Sequence, residues 1–372
     1  MNPTANRMIL LNPGPATTTD TVKAAMTRED ICPRETSFGD LMGEVADRLA
    51  GLVAPKGDHV AVLFGGSGTA GVEAAIASAV PENGRLLVID NGAYGQRMAE
   101  IAQGYRMDHQ VLDFGVGGWI DTAKVDEALS TGDFTHLAIV HHETTTGMLN
   151  PVEAVGAVCH NHGVELIVDA MSSYAGIPIS MEALRADYLV SSSNKCIQGM
   201  AGLSFVIARR DRVETLKHVP GRSSYLSLGD QFRFFTKNNQ MRFTPPVQVL
   251  YALHQAIFEL EAEGGVEGRH RRYMACFDVL DAGMRDLGFE RLLPEAHLSR
   301  ILTAYLEPED PKYDYERMHD LLWDRRFTIY PGKGATKATF RLANMGDITP
   351  DDMRRFVGAM SETLDEMGVR LG

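Results

Sequence analysis

Three short stretches hold residue types that can do chemistry together. In "LFGGSGTAGVEAA" (63–75) an apolar strand runs into glycines and then a helical pattern, so Ser67, Gly68 and Thr69 open a helix. The free amides and positive dipole end of such a helix hold a phosphate, and the two hydroxyls add donors. No GK[ST] occurs there, which sets aside the nucleoside-triphosphate loop. A plain tight turn between strand and helix is the other reading. "VELIVDAMSS" closes a strand on Asp169. A carboxylate there is costly to desolvate unless a cation or donors meet it. It reads either as the partner of a protonated heterocycle or as the N-cap of a following helix. "DYLVSSSNKCIQGMAG" (187–202) empties another strand into small polar residues and then Lys195. Alone, that lysine is a solvated loop residue, a phosphate ligand or an amine kept for covalent chemistry.

Taken together, the three match the needs of pyridoxal 5′-phosphate (PLP). The helix end holds the phosphate, the aspartate keeps the pyridine nitrogen protonated, and the lysine forms the Schiff base. Two lesser features fit the same picture. "NGAYG" (91–95) sets Tyr94 beyond another strand, where it stacks on a ring or serves as an ordinary core tyrosine. "HHETTTG" (141–147) brings Thr144 and Thr145, whose hydroxyls donate toward the phenolic oxygen of the ring or cap a turn. The small residues Ser191–Ser193 leave room at the strand ends, and Cys196 reads as a packing residue.

The elements that must position these groups alternate along the chain. Strands are expected at 59–64, 85–90, 109–114, 136–140, 165–170, 188–192 and 203–208, and helices at 70–80, 95–105, 121–131 and 151–163. Strand–helix alternation with continuous apolar strands predicts an α/β fold with a mostly parallel sheet covered on both faces. Ligands in such sheets bind at the carboxyl ends of the strands, where all three stretches lie. Residues 245–289 read as long helices bridging to a second, smaller α+β unit built from "SRILTAYLE", "FTIYPG", "TFRLANMG" and a closing helix from about Thr349. The opening "LLNPGPATTT" is extended, proline-stiffened and expected to pack onto one of the two units.

Composition narrows the function classes. With 372 residues, 44% hydrophobic and 23% charged, the chain suits one large domain plus a smaller one. A formal net charge of −13 argues against nucleic acid as a partner, because phosphate backbones demand a basic face. The four cysteines, Cys32, Cys159, Cys196 and Cys276, form no CxxC pair and no metal-type spacing, so reduced thiols and no metal are expected. No apolar run reaches 18 residues, so no membrane segment is expected and the chain reads as cytoplasmic.

The order "GSGTAGVEA", "NGAYGQR", "HHETTTGMLNP", "IVDAMSSYAGIP", "SSNKCIQG", with an opening "NPGP" and a late "YPGK…FRLANMGDI", resembles the class V aminotransferases of the type I PLP fold. Within that family it looks most like the branch that moves an amino group from 2-aminoethylphosphonate to pyruvate. The resemblance runs from about residue 8 to 365 and implies a large PLP-binding domain with a mostly parallel seven-stranded sheet over 16–260. Residues 1–15 and 261–372 would form the smaller domain. It implies Lys195 as the Schiff-base lysine, Asp169 as the pyridinium partner, Ser67, Gly68 and Thr69 as the phosphate loop, Tyr94 as the stacking aromatic and Thr144 as the hydroxyl donor. Arg341 in "FRLANMG" matches the arginine that grips the substrate anion. The "RFTPP" turn matches the segment that crosses to the other subunit, so Thr244, with Arg242 beside it, would serve the partner's cofactor in a homodimer. Arg34 in "DICPRE" reads as a phosphonate ligand or a surface salt-bridge residue. An alanine- or serine–glyoxylate aminotransferase is the alternative on the same scaffold. A cysteine desulfurase would need a mobile late cysteine, and the last one here, Cys276, falls in a helical run. A PLP-fold regulator would carry an appended DNA-binding domain, and this acidic chain begins its cofactor fold within its first 60 residues.

Overall fold

The fold was read from a computed structural model that describes residues 7–216, 221–332, 334 and 337–371. Lys333, in the "YPGK" stretch, lies outside the described residues, as do residues 1–6 of the opening segment. In chain order the strands are β1 (Ile9–Leu10), β2 (His59–Gly65), β3 (Arg85–Asp90), β4 (Asp108–Asp113), β5 (His136–Val140), β6 (His142–Glu143), β7 (Met148–Leu149), β8 (Glu165–Asp169), β9 (Tyr188–Ser192), β10 (Leu203–Arg209), β11 (Leu302–Leu306), β12 (Phe327–Thr328), β13 (Tyr330–Pro331) and β14 (Thr339–Ala343).

A seven-stranded sheet runs in the order β2-β10-β9-β8-β5-β3-β4. Its neighbours are parallel except β10, which is antiparallel to both β2 and β9. The central strands are buried along their length and rich in Val, Ile and Leu, as a sheet covered on both faces requires. One face packs against Thr36–Gly51, Val152–His162 and Val247–Ala262 through Leu87, Leu137, Leu166 and Leu189, with Phe38, Val45 and Leu253 opposite them. The other face is filled by Gly68–Ala79 and Ala93–Gly104 through Val72, Ile76 and Met98.

The second sheet, β11-β14-β13, carries its own core with the last helix, Pro350–Met367, whose Thr349 and Asp352 form a reciprocal capping box. The 22-residue helix Gly265–Asp286 packs against that closing helix. The opening segment ties into the same region: β1 pairs in parallel with β12, and the Ala343 amide donates to the Leu11 carbonyl at 2.7 Å. It then crosses to the main sheet, where the Ala16 amide donates to Asn194 at 3.0 Å. The sequence reading placed the seven large strands and the helices between them. It did not assign Thr36–Gly51 or Leu228–Asn238.

Candidate active site

Asp169 ends β8, and Lys195 lies three residues beyond β9, its neighbour in the sheet. Asp169 is buried and Lys195 partly buried, and the site is built around them at the carboxyl ends of the strands. Asp169 Oδ1 accepts from the Met171 amide at 2.8 Å, closing a turn rather than capping a helix, and among the described residues the carboxylate has no ion pair. Burial lifts its pKa to about 6, opposed by that amide and by the charges of Arg97 and Lys195. The Lys195 amine is pushed down to about 8 by burial, against the attraction of Asp169. Its Nζ donates to the Pro13 carbonyl at 2.7 Å.

Ser67 is the N-cap of the helix Gly68–Ala79, yet its side chain makes no capping bond. Among the described residues the Gly68 and Thr69 amides have neither an intrahelical nor a side-chain acceptor, whereas the Ala70 amide donates to the Ser67 carbonyl at 2.9 Å. Gly68 lies close to the turn that Asp169 closes: a Cβ there would fall 2.3 Å from Met171 Sδ, so the methionine side chain would have to move. Thr69 Oγ1 accepts from Arg97 Nη1 at 3.4 Å, and the Arg97 guanidinium lies 4.9 Å from the centre of the Tyr94 ring.

Tyr94 sits in the first turn of Ala93–Gly104, and that helix start is stitched to the threonine turn between β6 and β7. Glu143 Oε2 accepts from the Tyr94 amide at 3.2 Å, Glu143 Oε1 from the Thr145 amide at 2.9 Å, and Thr145 Oγ1 from the Ala93 amide at 3.1 Å. The two threonines thus separate in role. Thr145 spends its oxygen on the helix, whereas Thr144 Oγ1 is buried with no partner among the described residues, as is His142 Nε2. Arg341, in β14, is 3% exposed and joins from the other unit. Its Nη1 donates to the Thr144 carbonyl and its Nε to the Pro331 carbonyl, both at 3.0 Å, with the Tyr330 ring 5.0 Å away. Burial lowers its pKa against the pull of Tyr94, Tyr330 and Glu143.

The structure therefore gathers Lys195, Asp169, Ser67, Gly68, Thr69, Tyr94, Thr144 and Arg341 around one set of strand ends. Arg34, Arg242 and Thr244 form a separate surface group. Arg34 donates to the carbonyls of Met241 at 2.6 Å and Arg242 at 3.1 Å, and Arg242 pairs with Asp230 at 3.3 Å. Thr244 is exposed beside Phe243, which stacks on Tyr225 at 5.2 Å; the Tyr225 hydroxyl donates to the Gly65 carbonyl just ahead of the Ser67 turn. Sequence reasoning missed Glu143 and Arg97. Glu143 lay in a quoted stretch, but nothing in the sequence says that a turn carboxylate is fully buried on two amides.

The donor set is matched to PLP. An uncapped helix N-terminus suits its phosphate, a buried carboxylate without an ion pair suits a protonated ring nitrogen, and an unpartnered threonine hydroxyl suits its phenolic oxygen. Among the described residues no cluster of side chains suits a metal ion.

Comparison with known proteins decides the family. The profile described as "Aminotransferase class-V" matches residues 22–314. The chain belongs to the class V aminotransferase family. A 2-aminoethylphosphonate–pyruvate transaminase of Syntrophobacter fumaroxidans is 45% identical over 368 residues, covering 98% of each chain. One of Vibrio vulnificus (strain CMCP6) is 42% identical over 362 residues, covering 96% of this chain and 98% of the relative. The crystal structure of pyridoxamine–pyruvate aminotransferase from Mesorhizobium loti matches with a TM-score of 0.89 at 24% identity, covering 100% of this chain and 95% of that one. That likeness shows the fold, which is the type I fold of PLP-dependent aminotransferases.

Proposed function

We propose that this class V aminotransferase transfers the amino group of 2-aminoethylphosphonate to pyruvate, giving phosphonoacetaldehyde and alanine. The observation that carries the reading is end-to-end likeness to a curated transaminase of that name, at 45% identity over 98% of both chains. In this reading residues 16–260 carry the cofactor, while 1–15 and 261–372 bring Arg341 to it.

Lys195, Asp169, the Ser67–Thr69 turn, Tyr94 and Thr144 are the residues that would hold PLP. When bound, PLP supplies an electron sink that lets a proton leave the carbon bearing the amino group. Lys195 Nζ takes that proton as a neutral amine and returns it as an ammonium, a task for which a lowered pKa suits it. Asp169 holds a positive charge at the ring nitrogen. Arg341 faces a harder demand, because one substrate presents a phosphonate and the other a carboxylate. A planar fork of donors accepts either, and the carbonyls of Pro331 and Thr144 fix its plane beforehand. Thr244, with Arg242 beside it, serves the site of a second copy in a homodimer. Its exposure, away from Lys195 in its own chain, is in keeping with that role.

A donor screen with pyruvate as acceptor, reading alanine, tests the reading. Turnover with 2-aminoethylphosphonate and little with serine is expected. The reverse preference, or glyoxylate as the better acceptor, would overturn it in favour of a glyoxylate-type aminotransferase.

A further inference from the structure

The opening segment touches both halves of the site. From Ile9 to Thr17 it is fastened to the smaller unit at four points: Ile9 to Arg326 at 2.9 Å, Leu11 to Thr328 at 2.9 Å, Ala343 to Leu11 at 2.7 Å and Asp347 to Thr17 at 2.7 Å, all between backbone groups. Ala343 is two residues beyond Arg341 on β14. In its middle the same segment bends over the lysine. Pro13 offers its carbonyl to Lys195 Nζ, and the next residue, Gly14 at φ +132°, lies flat against the lysine side chain. A Cβ at Gly14 would fall 2.5 Å from both Nζ and Cδ of Lys195. The bend is held locally by Asn12 Nδ2, which donates to the Pro15 carbonyl at 3.2 Å, and on the far side by the Ala16 amide on Asn194, the residue before the lysine.

We infer that the Pro13 carbonyl is the dock of the free Lys195 amine, and that Gly14 and the strap from Asn12 to Ala16 are positioning elements for proton transfer. The inference rests on the reading of Lys195 as the amine that carries and serves the cofactor. In each turnover that amine is released from the cofactor and must then move a proton without wandering. A neutral amine that donates one N–H to a fixed carbonyl keeps its lone pair in a defined direction. Once protonated, it makes the same bond stronger, because the donor is then charged. A buried lysine with no acceptor would leave an N–H unsatisfied, at a cost that favours misplacement. Only a residue without a side chain lets the backbone come this close, and the positive φ points the same way. Because the strap is bonded to the strand of Arg341, the dock and the anion-gripping arginine share one support.

The test uses the full-length enzyme, stripped of PLP and reloaded, with Gly14→Ala against the wild type. The readout is the pH dependence of the rate at which the visible band of protein-bound PLP develops. A carbonyl acceptor stabilises the ammonium, so losing the dock lowers the pKa of the amine. The acid limb of the profile should move to lower pH in Gly14→Ala, and kcat should fall by about 10- to 100-fold with a smaller change in KM. A Gly14→Ala enzyme with the wild-type limb and kcat would overturn the dock. Should that variant fail to fold by circular dichroism, Asn12→Ala is read the same way. A downward shift of its limb supports the dock, and an unmoved limb in a folded Asn12→Ala overturns it. Failure of the underlying reading looks different: a Lys195→Ala protein would still develop the band.

Discussion

Strand β8 has a carboxylate at each end, Glu165 and Asp169, and the two behave oppositely. At the amino end Glu165 opens β8, with Asp187 just before β9. Arg212 reaches Glu165 at 2.8 Å and Asp187 at 3.5 Å, and His136 lies 3.3 Å from Glu165. Burial raises the Glu165 pKa, but His136 and Arg212 outweigh it and leave the carboxyl below its ordinary value. At the carboxyl end Asp169 has no such partner and rises to about 6, while Lys195 falls to about 8. A cleft of about 1200 Å³ opens at the amino end, lined by Glu165, Asp187 and Arg212; there Arg212 pairs with both carboxylates, although burial still lifts the Asp187 carboxyl above its ordinary value. Cavity size does not mark the site. A buried carboxylate without an ion pair, set beside an amine of lowered pKa, does.

Four substitutions probe that contrast, from the largest expected effect downward. Lys195→Ala should lower kcat by at least about 10⁴-fold and abolish the visible band of bound PLP, as read by stopped-flow and absorbance. Residual turnover near the wild-type rate would place the essential amine elsewhere. Asp169→Asn should cut kcat by about 10²-fold or more, while stabilising the PLP-free protein at pH 7. The sign follows from the raised pKa. Between pH 3.8 and about 6 the folded state holds a proton that the unfolded chain releases, so stability falls as pH rises through that window and stays low above it. An asparagine carries no such penalty, and a gain on the order of 2–3 kcal/mol in urea melts at pH 7 would register it. No gain would mean that the carboxylate is paid for by contacts within the chain.

Arg341→Ala should raise KM for both 2-aminoethylphosphonate and pyruvate by about 10²-fold, with Arg341→Lys recovering part of it. An effect on one substrate only would divide the anion sites. At the amino end Arg212→Ala should leave kcat and KM unchanged and cost at most about 1 kcal/mol, since its side chain is 44% exposed. Loss of activity there would break the contrast between the two ends.

Legibility in the sequence followed the same division. The strands declared themselves as apolar runs between turn residues, and Lys195 and Asp169 were conspicuous because polar groups at such strand ends need a reason. Thr36–Gly51 went unassigned although it buries Phe38, Val45 and Leu49. Its entry carries no Ser, Thr, Asn or Asp cap, since Glu35 stands at the N-cap without a side-chain bond. Glu143 was invisible as a structural carboxylate because its partners are backbone amides, which have no letter in a sequence. The strap over Lys195 was hidden for the same reason: Pro13 acts through its carbonyl, and only the long-range pairing of β1 with β12 brings it there. The antiparallel run of β10 was likewise not readable from its apolar pattern, which serves either direction.

The pairing of Ile9 with Phe327 also bears on how the chain comes to life. During synthesis the opening segment emerges long before its strand partner, Phe327–Thr328. The central sheet has every strand it needs long before that, so it can condense while the strap waits without a mate. The lysine pocket closes only when β12 and β14 arrive. The strap over Lys195 is thereby completed only after the central sheet has been made.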